Sequence, residues 1–195
     1  MTGKRIIELL KAEDYLKLWE EARLELRVDN AKEKGGVLMA RRQRAANKFL
    51  GKGSAWEVNG HQCFCNGFVI YMLSNHLELP MGTARLDVND FFQDAERSEV
   101  KVDWATVKIQ SMRSRSNKKM EKAIRVGPLV VNSEYLWQAR MILGSKDIRL
   151  FHTDNWIRPL QLECENGKAA ILPLRFQDAS LLTDATLPAV EPEAA

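Results

Sequence analysis

Apolar residues recur along this chain with two periods, and the points where the period changes mark its elements. From Ile6 to Leu26 they fall at helical spacing: Leu9, Ala12, Leu16 and Trp19 share one face, bordered by Tyr15, Leu18 and Ala22. A polar stretch, Asp29–Gly36, ends in two glycines and separates this helix from a second one over Val37–Leu50, with Leu38, Ala45 and Phe49 on its inner side. Past Gly51–Ser54 strand-like runs take over. Asn59-Gly60 and Asn66-Gly67 divide the next segment into three short antiparallel strands, Ala55–Val58, Gln62–Cys65 and Phe68–Leu73, because type I′ hairpin turns need positive φ at both central residues. Asp87 predicts the cap of a helix through Ala95, and Asp103 the cap of another that frays beyond Ser116.

The second half repeats this content. Leu129–Val131 reads as a strand, Asn132 or Ser133 as the cap of a helix over Glu134–Leu143, and Gly144 as its stop. Strands follow at Ile148–His152, Leu160–Glu163 and Ala169–Phe176, the last two joined by an Asn166-Gly167 turn. The expected core of this half is Tyr135, Leu136, Ala139, Ile142, Leu143, Ile148, Leu150, Leu160, Leu162, Ile171 and Leu172. Two stretches of similar content suggest an internal duplication, although their sequences differ too much to show a repeat by themselves. The tail after Phe176 is rich in Ala, Pro and acid, and is expected to be disordered beyond Leu182.

With 195 residues, 45% hydrophobic, the chain is long enough to bury a real core. Its apolar runs are short and broken by charge, which predicts no membrane span. The N-terminus lacks the apolar stretch and cleavage site of a signal peptide, and three cysteines make a disulfide framework unexpected, so the reading is an intracellular, cytoplasmic protein. The net charge of +3 matters less than its distribution. Arg41–Lys52 holds five basic residues and no acid, Lys101–Arg125 holds eight against two acids, and Gln177–Ala195 holds four acids and no base. Such basic runs fit a polyanion-binding surface as well as a solvated helix face.

Candidate chemistry is sparse. His61, Cys63 and Cys65 alternate on one strand and share a face, with Cys164 as a further soft ligand, but His-x-Cys-x-Cys is not a usual zinc spacing and a buried face is the favoured reading. Glu163 with Glu165, and Asp90 with Asp94, are paired carboxylates without a base nearby in sequence. No phosphate-cradling glycine loop, nucleophile elbow or His-Glu-x-x-His is present, so the chain reads as a non-enzyme without a cofactor.

Several residues in order resemble the bacterial DNA polymerase III β subunit, the sliding clamp. An Asn-x-x-Tyr-Leu-x-x-Ala helix start stands at Asn132, Tyr135, Leu136 and Ala139; Pro159 precedes the strand at Leu160; and an apolar-Pro-apolar-Arg-apolar run closes the half at Leu172, Pro173, Leu174, Arg175 and Phe176. Cys65, Asn66 and Gly67 hold the places of that family's Thr-Asp-Gly turn, although Phe68-Val69-Ile70 departs from the His-Arg-Leu that follows it. In length the chain is closer to small clamp-like proteins of phages and mobile elements, and it spans about one clamp domain. The resemblance implies an α+β, DNA-clamp-like domain of two βαβββ-type halves over 35–176, an antiparallel sheet with helices packed on one side, an N-terminal helical extension over 1–34 and an acidic tail over 177–195. A closed ring then needs about six copies, so a homo-oligomer is expected.

The same resemblance implies duplex DNA held through phosphates by the basic helices, with Arg41, Arg42, Arg44, Lys48, Arg113, Arg115, Lys118 and Lys119 as the contacts. It also implies a peptide cleft lined by Leu172, Pro173, Leu174 and Arg175. Gln177, Leu181 and Leu182 themselves look like a clamp-binding peptide, able to occupy that cleft or a host clamp. Two functions follow: a DNA-associated replication protein, or a protein-binding module on the clamp fold, such as a phage-borne inhibitor of a host replication or defence factor.

Overall fold

The computed structural model describes residues 35–83, 86–92, 96–112, 122–153, 155, 157–176 and 179–188. The chain divides into two compact units, Met1–Ala40 and Arg41–Ala195. Of the first, only 35–40 are described, as the start of helix α1 (35–50); the helix expected over 6–26 lies outside the described residues.

In the second unit α1 leads into β1 (Trp56–Val58), β2 (His61–Cys65) and β3 (Val69–Leu73). Asn59 and Gly60 take φ of 50° and 77°, the type I′ turn that Asn-Gly predicts. The second Asn-Gly works differently: of that pair only Gly67 has positive φ, and the Asn66 side chain accepts hydrogen bonds from the N–H groups of Phe68 and Val69. The helix expected from Asp87 is a single 3-10 turn, Asn89–Phe91. Asp87 does accept from the Asn89 N–H, at 3.0 Å. Phe92 leaves the helical region at φ −123°, and the rest of the expected helix, 93–95, lies outside the described residues.

Next come β4 (Ser98–Val100), α2 (Trp104–Met112), a hairpin of β5 (Ala123–Val126) and β6 (Leu129–Asn132), α3 (Ser133–Leu143), and β7 (Arg149–His152), β8 (Leu160–Cys164) and β9 (Gly167–Ile171). The caps are those the sequence names. Asp103 accepts from the N–H groups of Ala105 and Thr106, Asn132 accepts from that of Glu134, and Gly144 closes α3 in the left-handed region at φ 65°. β4 and β5 were not expected: Ser-Glu-Val shows no alternation, and β5 follows directly on the stretch read as the frayed end of a helix.

Seven strands form an antiparallel sheet in the order β1-β2-β3-β9-β8-β7-β4, and β5-β6 stand as a separate pair. The order helix–strand–strand–strand thus occurs twice, as α1–β3 and as α3–β9, and the third strands meet with Tyr71 opposite Ala169. Phe49 of α1 packs edge-on against Phe64 and Tyr71, at 5.8 and 4.9 Å between ring centroids. Leu136, Ala139, Ile142 and Leu143 of α3 bury into the same cluster, with Leu150, Leu160, Leu162 and Ile171. Tyr135 is only half-buried, stacked on Phe68, and Ile148 is half-buried as well. Leu172 is 39% exposed rather than in the core. The expected last strand stops at Ile171 because Pro173, without an N–H, cannot continue a ladder. Instead the Leu172 N–H donates to Phe68 O and the Leu174 N–H to Val130 O, so the run crosses from the sheet to the β5–β6 pair.

Candidate functional site

α1 carries the first basic run. Arg41, Arg44 and Lys48 are exposed, but Arg42 is not available to a phosphate. It is 1% exposed, on the inner stripe with Ala46 and Leu50, four and eight residues on, and its Nε donates to the carbonyl of Ile142 at 2.8 Å. That carbonyl belongs to the last turn of α3, where orphan acceptors and the negative end of the helix dipole favour a cation. The side chain is pressed so closely on Gly144 that a Cβ there would overlap its stem. Burial lowers the Arg42 pKa, with Cys164 and Glu165 acting in the opposite direction. Arg42 is therefore a strut between two helices rather than a DNA contact. Of the second basic run, Arg113, Arg115, Lys118 and Lys119 lie outside the described residues.

Between α2 and α3 the surface holds an arrangement that the basic runs do not announce. The Arg140 guanidinium lies 4.7 Å from the ring centroid of Trp104 and 5.4 Å from that of Trp137, and the Lys108 ammonium lies 5.8 Å from Trp137. Part of the signal was present in the sequence: Trp137 and Arg140 are three apart, a spacing that puts a cation beside a ring on a helix, whereas Lys108 reaches a ring on the other helix. Beside Trp137 a cleft of about 300 Å³ opens, lined also by Ala45, Lys48, Ser111, Met112, Glu134, Gln138 and Met141.

The closing run of the last half does line cavities. Leu172, Pro173, Leu174 and Arg175 bound one of about 200 Å³ with Ile157, and Pro173–Phe176 bound a second of about 400 Å³ with Leu129 and Val130. A third, of about 160 Å³, lies on the far side of Leu172, walled by Phe68, Ile70, Leu86, Phe91 and Ala170 among others. All three are strung along one stretch of chain, and their walls are mostly apolar. The residues expected to form a peptide cleft are thus brought together here.

The tail is only partly where the sequence puts it. Gln177 lies outside the described residues, Leu181 is 87% exposed and Leu182 half-buried. Disorder beyond Leu182 does not describe Thr183–Leu187. The Arg125 N–H donates to Thr183 O, the Ala185 N–H to Arg125 O, the Asp103 N–H to Ala185 O and the Leu187 N–H to Lys101 O, while Asp184 ion-pairs with Arg125 and Ala185 is buried. Asp184 and its small neighbours thus lie along one edge of β5, pairing with the N–H and C=O of Arg125; composition alone gave no sign of that edge.

Cys63 is buried, and burial, helped by Asp87, raises its thiol pKa to about 11. Among the described residues no three His, Cys, Asp or Glu side chains gather closely enough to hold a metal ion. Glu163 and Glu165 do not converge: Glu165 accepts from the Ser145 hydroxyl, whereas Glu163 is buried and paired with Arg97 and Lys168 at 2.6 and 3.1 Å. Burial alone would raise the Glu163 pKa; Arg97 and Lys168 outweigh it and hold the carboxyl below its usual range. Asp90 is exposed and Asp94 lies outside the described residues. Among the described residues no helix is long and apolar enough to cross a membrane.

No family model matches the chain, and no curated protein or solved structure matches it either.

Proposed function

We propose that the chain is a clamp-like, non-enzymatic protein associated with DNA replication, of the small kind that phages and mobile elements carry. The observation that supports this reading is the twice-occurring order of helix and three strands, joined antiparallel through β3 and β9. In a clamp domain, two such halves place their helices on one side, towards the DNA. On this reading Arg41, Arg44 and Lys48, with Arg113, Arg115, Lys118 and Lys119, hold duplex phosphates without reading bases. The test is a gel-shift assay over a salt series. Weak, sequence-independent binding that falls steeply with salt is expected, and Arg41→Glu with Arg44→Glu and Lys48→Glu abolishes it. Unchanged duplex mobility at low salt and high protein concentration contradicts the reading.

A second reading, a protein-binding module on the same fold, draws on the apolar groove along Leu172–Arg175. Apolar anchors such as Leu and Phe supply most of the energy when a short peptide enters such a groove. A labelled peptide carrying Gln and then Leu and Phe is expected to bind, and Leu172→Asp to prevent it. Binding equal in wild type and variant contradicts that role for the groove.

A further inference from the structure

The cleft beside Trp137 is built for more than phosphate neutralisation. Phosphate contacts need only Lys and Arg, and aromatic rings add nothing to them. Here Trp137, which lines the cleft, lies against the Arg140 guanidinium and the Lys108 ammonium, and Arg140 lies in turn against Trp104; these three stand beside the cleft rather than in its lining. Lys48 of α1 also lines the cleft. Polar groups that are able to hydrogen-bond a base edge, the Gln138 amide and the Ser111 hydroxyl, line the same space. The Ser111 hydroxyl already donates to Lys108 O, which leaves its lone pairs to accept. The cleft's one acid, Glu134, is ion-paired with Lys122, so the local balance stays positive. Its volume of about 300 Å³ stands at the lower end of the range for small-ligand pockets, a size for one nucleotide rather than a long ligand. Met112, 71% exposed, and Ile109, 57% exposed, extend the apolar surface along α2.

Charge and ring faces together select the partner. A polyanion satisfies the cations, and a polyanion with free π-faces satisfies the tryptophans. A duplex hides its base faces in the stack, whereas a single strand presents them. We propose that this cleft takes an unstacked base of single-stranded nucleic acid, laid on Trp137, with the flanking phosphates on Lys48 and Lys108. The proposal rests on the DNA-associated reading above and deepens it, from duplex phosphates to a strand whose bases are exposed.

The experiment compares a fluorescein-labelled twenty-nucleotide oligo-dT with a twenty-base-pair duplex by anisotropy, using the full chain over a salt series. Oligo-dT is expected to bind more tightly than the duplex and to quench tryptophan fluorescence. Trp137→Leu weakens oligo-dT about tenfold, the loss of one stacked base, and leaves the duplex unchanged, while Trp137→Phe restores most of the affinity. Lys48→Glu, which removes no core side chain, weakens oligo-dT more than it weakens the duplex in the same assay, and an equal loss for both overturns the cleft, so the proposal stays testable if Trp137→Leu fails to fold. Tight oligo-dT binding with these effects but no duplex binding supports the cleft and counts against the clamp reading. Duplex binding with no preference for oligo-dT, no quenching and no effect of Trp137→Leu overturns the cleft and leaves the clamp reading standing. Binding of neither overturns both.

Discussion

The first helix–strand–strand–strand unit, α1–β3, and the last, α3–β9, share an order and a sheet but divide the labour of packing unequally. Where they meet, β3 presents Ile70, Tyr71 and Leu73 and β9 answers with Ala170, Ala169 and Gly167. At these three of the five pairs a large residue on β3 meets a small one on β9, whereas Val69 with Ile171 and Met72 with Lys168 are large on both sides. The units also differ on the sheet face turned away from Tyr71. Across it the pairing runs Cys63, Met72, Lys168, Glu163, Arg149, so an apolar half gives way to a charged one. The charged half is closed by Arg97, which bridges to Glu163 and Gln161 and lies 4.2 Å from the Phe151 ring centroid. Repeated topology therefore does not require repeated sequence: β3 and β9 hold equivalent places in their units with different side chains.

The contrast at the seam can be broken from either side. Tyr71→Ala has the largest expected effect, about 3–5 kcal/mol of lost stability by urea denaturation, because it empties the centre of the aromatic cluster formed with Phe49 and Phe64. A loss below about 1 kcal/mol would mean the seam is not the centre of the core. Gly167→Ala comes next, at about 2–3 kcal/mol. Its φ is 137°, and a Cβ there would run into the backbone at Met72 and Leu73, which has no flexible end to move aside. An unchanged midpoint for this variant would show that β9 approaches β3 less closely than described.

The charged half of the sheet gives a pH-dependent effect. The Glu163 pKa is depressed in the folded state, so its contribution is present above the unfolded value of about 4.3 and is lost as pH falls through the lower folded value. Glu163→Gln is expected to cost about 1–2 kcal/mol at pH 7 and progressively less as pH falls from about 5 towards 2. A difference that does not change with pH would assign the loss to packing alone. The smallest effect is Tyr71→Phe. Among the described residues the buried phenol oxygen has no hydrogen-bond partner, and burial pushes its pKa up, so removing it is expected to be neutral or to stabilise by up to about 1 kcal/mol. A loss of 1 kcal/mol or more would reveal a partner for that hydroxyl, such as a buried water.

What was legible in the sequence had a local cause. Asn59-Gly60, Asp103, Asn132 and Gly144 each act through their own backbone neighbourhood, and each marks an element boundary within a residue or two of where it is read. What was not legible depended on distant partners. β4 exists because β7 offers it an edge, and Thr183–Leu187 is held because β5 offers another. Arg42 reads as a surface charge until the end of α3 arrives to accept its hydrogen bond, one hundred residues on. In the candidate site the Leu172–Arg175 run was legible as a motif, but its departure from the sheet was not, since that follows from where Phe68 and Val130 stand. Of the tryptophan–cation ladder only the Trp137–Arg140 spacing on α3 was legible; its other contacts need α2 and α3 side by side.

The clamp reading is tested most directly by native mass measurement of the full chain, alone and with duplex DNA. It predicts a ring-sized assembly of about six copies that retains duplex at low salt and releases it as salt rises. A monomer or dimer with no salt-sensitive DNA binding would contradict it.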